Sequence, residues 1–130
     1  MKLHTEFIKA QFQNIAQTYH LKWIKESDYG IALENDKIEI SMSAERWEEG
    51  VTMSLTNKQQ KEFYYVWDLD IKNGFAKNMD NHLSIQEKEY MVNSLPDDEK
   101  LIYSFKIMLE RYCQEALQGN FSKLGKGRPE

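Results

Sequence analysis

Cysteine, proline and glycine are all scarce in this chain, at one, two and six of 130 residues, and each shortage removes a class of structure. The lone Cys113 cannot form an intramolecular disulfide, which suits a reducing compartment. It also sits apart from His4, His20 and His82, so no zinc-ligand spacing is written. Long apolar runs are missing too: nothing approaches the roughly 18 residues of a membrane span. The opening Met1-Lys2-Leu3-His4-Thr5-Glu6 meets charge early and lacks the apolar centre of a secretory signal, so a cytoplasmic, soluble protein is expected, without membrane contact. Asn73-Gly74 is an isolated pair with no glycine-rich phosphate cradle around it and reads as a turn. Glu45 with Glu48 or Glu49, and Asp68 with Asp70, lack the further oxygen ligands of a cation loop. The expectation is a protein with no catalytic residue, no metal and no cofactor.

What is present is a single domain's worth of patterned sequence. A chain of this length can bury roughly two thirds of its unfolded surface without staples. Net charge is −4, but the charge is uneven. From Glu26 to Glu49 stand eight acids (Glu26, Asp28, Glu34, Asp36, Glu39, Glu45, Glu48, Glu49) against Lys37 and Arg46, a local −6 that leaves +2 for the rest. A nucleic-acid binder concentrates the opposite sign, so DNA and RNA are disfavoured and a basic protein is the expected partner.

Periodicity supplies the fold class. Ile8, Phe12, Ile15, Ala16 and Tyr19 mark one face of a helix over residues 5–18. Leu21, Trp23 and Ile24 form either a first strand or an extended connection. Four segments of alternating character follow, on Tyr29-Ile31-Leu33, Ile38-Ile40-Met42, Val51-Met53-Leu55 and Phe63-Tyr65-Trp67-Leu69, with Asn35-Asp36 as a hairpin turn between the first two. On this alternation Tyr64 and Val66 face solvent. Residues 72–83 read as loop, interrupted by a capping box at Ser84-Ile85-Gln86-Glu87 that opens a short helix through Met91. Leu101, Ile102, Phe105, Met108, Leu109, Tyr112, Cys113, Ala116 and Leu117 then describe a long helix from Pro96 to Gln118, with acids in its first turn and Gly119 to end it. Cys113 falls on its packed face, as a buried thiol. The prediction is an α+β domain over 1–121: an antiparallel sheet of four to five strands, with an N-terminal helix and a long C-terminal helix packed on one face. The basic, glycine-containing residues 122–130 read as a disordered tail.

Within the sheet the acidic connection 44–50 draws the functional interest. By parity Trp47 extends the strand that follows and is buried; alternatively the connection protrudes and Trp47 stands exposed beside Arg46 among carboxylates, the composition of a binding hot spot. The order helix, meander, long helix, with Ser27-Asp28-Tyr29-Gly30, Glu34-Asn35-Asp36, Ile38-Glu39-Ile40 and Tyr65-Val66-Trp67-Asp68-Leu69, resembles the small α+β proteins among bacterial toxin immunity proteins and related uncharacterised families, over residues 5–118. That resemblance implies a protein without a catalytic site that docks on a partner and masks a basic toxin surface with acids. The expected docking residues are Glu34, Asp36, Glu39, Glu45, Arg46, Trp47, Glu48 and Glu49. Two other classes stay open: a small-molecule-binding or enzymatic domain with a pocket lined by Trp23, Trp67, Tyr65 and Tyr112, and a structural subunit assembling through a sheet edge.

Overall fold

The computed structural model describes residues 2–44, 50–73 and 83–130. Helix α1, Thr5–Thr18, forms where the apolar period required it and buries Ile8, Phe12 and Ile15. The sheet follows as β1 (Lys22–Ile24), β2 (Gly30–Glu34), β3 (Ile38–Ala44), β4 (Val51–Asn57) and β5 (Glu62–Tyr65), and the chain's end returns as β6 (Arg128–Pro129). All six strands are antiparallel, in the order β1-β2-β3-β4-β5-β6. The architecture is thus the expected α+β, with one strand more than the four to five read from periodicity.

Side chains on one face of the sheet carry the core. The rows Leu33-Ile40-Leu55-Tyr64 and Ile31-Met42-Met53 follow from the strand registers and are all buried. Helices cover this face: α1 meets α4 (Asp97–Tyr112) with Phe12 and Phe105 ring centroids 6.3 Å apart. The two aliphatic surfaces exclude water from one another, the main favourable term for a domain of this size.

Three readings of the sequence are corrected. The strand expected to run from Phe63 to Leu69 stops at Tyr65, and Val66–Asn73 is helix α2. Asp68 makes the switch, because its Oδ2 accepts the Tyr65 backbone N–H at 3.1 Å, half of a capping box closed on the last strand residue. Lys72 and Asn73, expected in a loop, therefore end α2. The faces of β5 are also reversed. Asn57 pairs with Glu62 across the four-residue turn, so Tyr64 opposes Leu55 and is 1 % exposed, while Phe63 and Tyr65 point the other way. Finally, the long C-terminal helix is two. α4 ends at Tyr112 and α5 spans Gln114–Leu117, with Cys113 (ψ 23°) turning the chain between them and buried as expected. Gly119, at φ 96°, closes α5: its N–H returns to the Ala116 carbonyl, and the Asn120 N–H to that of Glu115, both at 2.9 Å.

The capping box at Ser84 is formed in both directions, the Glu87 N–H on Ser84 Oγ at 3.1 Å and the Ser84 N–H on Glu87 Oε1 at 2.8 Å. It opens α3, Ile85–Ser94, one turn longer than expected.

Residues 122–130, read from composition as a disordered tail, are placed along β5. Ser122–Leu124 forms a 3-10 turn with Leu124 buried. The Tyr64 hydroxyl donates to the Gly125 carbonyl, and the Tyr64 ring stacks on Phe121 at 5.7 Å. Gly127 donates its N–H to Glu62 at 3.0 Å, and a Cβ there would lie 2.9 Å from the Tyr64 ring and 3.0 Å from the Phe63 carbonyl, so only glycine passes so close. Burial, then the charge of Glu62, raises the Tyr64 phenol above its ordinary 10. A raised folded-state value means that this contribution is intact below pH 10 and is lost as pH climbs through the folded value. Tyr64→Phe should cost about 1 kcal/mol at neutral pH through the lost hydrogen bond. The deficit should shrink above pH 10, as measured by urea unfolding across that range.

Candidate functional site

The opposite face of the sheet is built from the alternate positions. The registers lay down one row of Lys22, Glu34, Glu39, Thr56, Phe63 and Arg128, and beside it Ile24, Ala32, Ser41, Ser54 and Tyr65. Its centre is small and polar, and Ser43 and Thr52 are open to solvent. Carboxylates gather on one side of this face and aromatics on the other.

Glu34 and Glu39 stand directly opposite each other across β2 and β3. Like charges so placed repel, and cations answer them. Lys58 Nζ donates to Glu34 Oε2 and to the Asn35 carbonyl, both at 2.9 Å; Lys25 Nζ lies 3.4 Å from Glu39 Oε1, whose other oxygen accepts the Ser41 hydroxyl at 2.7 Å. Lys25 holds this place at φ 56°, a left-handed conformation that costs a lysine about 1 kcal/mol. Asp36 is exposed at the hairpin tip. The tip turns on Asn35, whose Oδ1 accepts the N–H groups of Lys37 (2.8 Å) and Ile38 (3.0 Å), and whose Nδ2 donates to the Tyr19 carbonyl at the end of α1 (2.9 Å). An Asx turn therefore replaces the positive-φ hairpin turn that Asn35-Asp36 suggested.

The negative run read along the chain is interleaved with lysines in space. Besides Lys25 and Lys58, Lys2 reaches Asp28 (3.7 Å) and Lys9 pairs with Glu26. Sequence distance hid this, because three of the four lysines come from α1, its leader and the β4–β5 turn. Of the expected docking residues, Glu34 and Glu39 are brought together and Asp36 stands near them on the same hairpin. Glu45, Arg46, Trp47, Glu48 and Glu49 lie outside the described residues, and so does the question of how Trp47 is placed.

The aromatic side was missed by the reading of parity. Phe63 and Tyr65 meet edge to face with centroids 5.0 Å apart, and Tyr65 stacks on Trp67 at 4.3 Å. Arg128 closes the group: its guanidinium lies 5.1 Å from the Tyr65 ring centre and grips Asp68 through Nε (2.8 Å) and a second nitrogen (3.1 Å). Trp67 remains 47 % exposed. The available signal was the turn: with Asn57 and Glu62 paired, β5 parity follows.

The four aromatics expected to share a pocket do not. Trp67 borders a cavity of about 300 Å³ whose described walls are mainly Val51, Val66, Leu101, Phe105 and Met108, with Asp70 and Ser104 as the polar members. Trp23 borders a cleft along α1, and Tyr112 one beside α5. His4 faces Asp98 and Glu99, at 3.9 and 3.5 Å, while His20 occupies the turn after α1 at φ 57°; His82 lies outside the described residues. Among the described residues no three of His, Cys, Asp and Glu converge as metal ligands, and no helix is long and apolar enough to cross a membrane. The sheet edges are short, three residues in β1 and two in β6, one of them the Pro129 that cannot donate to a further strand.

Compared with protein-family models, with curated proteins and with solved structures, the chain matches none.

The opposed carboxylates give a direct energetic test. Lys58→Met should destabilise by about 0.5 to 1 kcal/mol. Adding Glu39→Gln in that background should recover part of the loss by relieving the repulsion on Glu34, whereas Glu39→Gln in the wild type should not stabilise; a denaturant double-mutant cycle measures the coupling.

Proposed function

We propose that the protein is a non-catalytic binding module that receives a cationic protein partner on the open face of its sheet, in the manner of immunity proteins that mask a basic toxin surface. The observation that carries this reading is the Glu34–Glu39 pair, two partly exposed carboxylates held opposite each other on the face of the sheet away from the Leu33-Ile40-Leu55-Tyr64 core row. Cross-strand neighbours stand about 5 Å apart, a separation that one guanidinium can bridge. A partner's arginine would take over the role of Lys25 and Lys58 and relieve the repulsion between the two acids.

The same face offers the other ingredient of a protein interface. Phe63, Tyr65 and Trp67 form a rigid aromatic group, held by Arg128 and Asp68, with the Trp67 indole half open to solvent. Aromatic anchors beside charged groups are the usual composition of hot spots. Asp36 at the hairpin tip and the acidic stretch 45–49 would extend the negative field and speed encounter with a basic partner. Immobilised lysines already satisfy part of that field, so specificity rests more on the opposed pair and the aromatics than on bulk negative charge.

The reading is tested by capture of native partners at low and high salt. The expected complex weakens with salt, and is lost in Glu34→Lys/Glu39→Lys and reduced at least about tenfold by Trp67→Ala. Gln13→Lys, an exposed substitution on α1, should keep it. A complex indifferent to all three sheet-face changes would place the docking surface elsewhere.

A further inference from the structure

Strand β6 lies on the sheet without an apolar anchor of its own. Phe121 and Leu124 are buried, but from Gly125 onward no residue is: Gly125, Lys126, Arg128, Pro129 and Glu130 are exposed and Gly127 is half-buried. Gly125, at φ 69°, marks the boundary in a conformation that glycine adopts without strain. Beyond it the segment is held chiefly by polar groups. The Gly125 carbonyl accepts the Tyr64 hydroxyl, the Gly127 N–H goes to Glu62 at 3.0 Å, the Glu130 N–H goes to the Lys61 carbonyl at 2.9 Å, and Arg128 grips Asp68. A segment with little buried apolar surface and exposed hydrogen bonds opens well below the free energy of global unfolding.

The groups that receive this segment belong to the body of the fold and stay in place when it leaves. β5 is paired with β4 along its other side, and Asp68 is fixed in α2 by its bond from the Tyr65 N–H. The Asp68 side chain is 19 % exposed, whereas that of Arg128 is 52 % exposed, so the acceptor is built into the surface and the cation is laid upon it. Charge is divided in the same way. The receiving side carries Glu62 and Asp68, and the arriving side carries Lys126 and Arg128 against Glu130. With residues 125–130 lifted, β5 becomes a sheet edge beside a carboxylate and an aromatic ring already placed for a guanidinium. Extended peptides add to such edges, with backbone bonds supplying affinity and side-chain sites supplying specificity.

We propose that the outer edge of β5, with Glu62, Tyr65 and Asp68, is a strand-docking site for an extended, arginine-bearing segment of a protein partner, and that residues 125–130 are a strap that occupies it until displaced. The strap itself shows what fits. It pairs antiparallel with Glu62 and Phe63, passes Tyr64 with a residue that has no side chain, and sets the next residue, an arginine, against Asp68 and the Tyr65 ring. That the displacing segment comes from the cationic partner rests on the reading of the open face given above; the edge site does not. Because the strap is tethered, its effective concentration is on the order of millimolar. An isolated peptide of the same chemistry therefore competes poorly, and a partner succeeds by engaging the rest of the face as well.

The full chain carrying Gly127→Val/Arg128→Ala opens the strap without removing it, since a Cβ at position 127 would lie 3.0 Å from the Phe63 carbonyl. The probe is a synthetic peptide of residues 125–130, titrated to about 5 mM onto isotope-labelled protein and read from the amide shifts of β5 and α2. The opened chain should bind it with a Kd of about 1 mM or tighter. Binding should be at least about tenfold weaker to the wild type, and at least about tenfold weaker for the peptide carrying Arg128→Ala. Far-UV circular dichroism confirms that the opened chain is folded. Hydrogen exchange on the wild type gives a reading that needs no variant: the Gly127 and Glu130 N–H groups should be at least about a hundredfold less protected than that of Leu55. Equal binding to both chains, no shift in the opened chain, indifference to the peptide's arginine, or exchange at Gly127 and Glu130 as slow as at Leu55 each overturns the proposal. A captured partner that is lost on Glu34→Lys/Glu39→Lys, yet does not bind at least about threefold tighter when the strap is opened, leaves the open-face reading standing and overturns this one.

Discussion

The pairing of Asn57 with Glu62 across the β4–β5 turn is the constraint on which the rest of this structure depends. Strand side chains alternate with a period of two, so fixing that one pair fixes the face of every residue in β5. Tyr64 is driven into the core, where its ring receives Phe121 and its hydroxyl the Gly125 carbonyl. Phe63 and Tyr65 are driven out, where they join Trp67. A slip of one residue would bury the aromatic group, expose Tyr64 and remove the surface against which the chain's end is laid.

From that register the open face is assembled by groups remote in sequence. Asp68 serves twice, ending β5 by accepting the Tyr65 N–H and holding Arg128, sixty residues later, over the Tyr65 ring. The tail is thereby part of the sheet, and β6 is its price in conformational entropy offset by the hydrogen bonds of Gly127 and Glu130. On the acidic side, Lys58 from the β4–β5 turn reaches the β2–β3 hairpin, so the same turn that sets the aromatic face also neutralises Glu34.

Much of this was legible where one local signal dominates. α1 follows from its apolar stripe, β2 to β4 from clean alternation, and α3 from a capping box written in four consecutive residues. Reading failed where two signals competed. In Phe63 to Leu69 alternate aromatics imitate a strand, and only the Asp68 carboxylate, three residues past Tyr65, marks the change to helix. At Cys113 the apolar period continues unbroken from α4 into α5, so the turn between them leaves no trace in the pattern. The tail's glycines look like flexibility in composition, whereas Gly127 is there for close passage over Tyr64. Of the candidate site, the carboxylates Glu34, Asp36 and Glu39 were visible as charge, but their lysine partners and the aromatic group were not, because both depend on which strands become neighbours.

Hydroxyl-radical footprinting of the native chain, read residue by residue by mass spectrometry, tests this arrangement most directly. The β4–β5 register predicts rapid oxidation of Trp67, measurable oxidation of Tyr65, and protection of the Tyr64 that precedes them. Oxidation of Tyr64 as fast as that of Trp67, with Tyr65 protected instead, would contradict the register, and with it the open face.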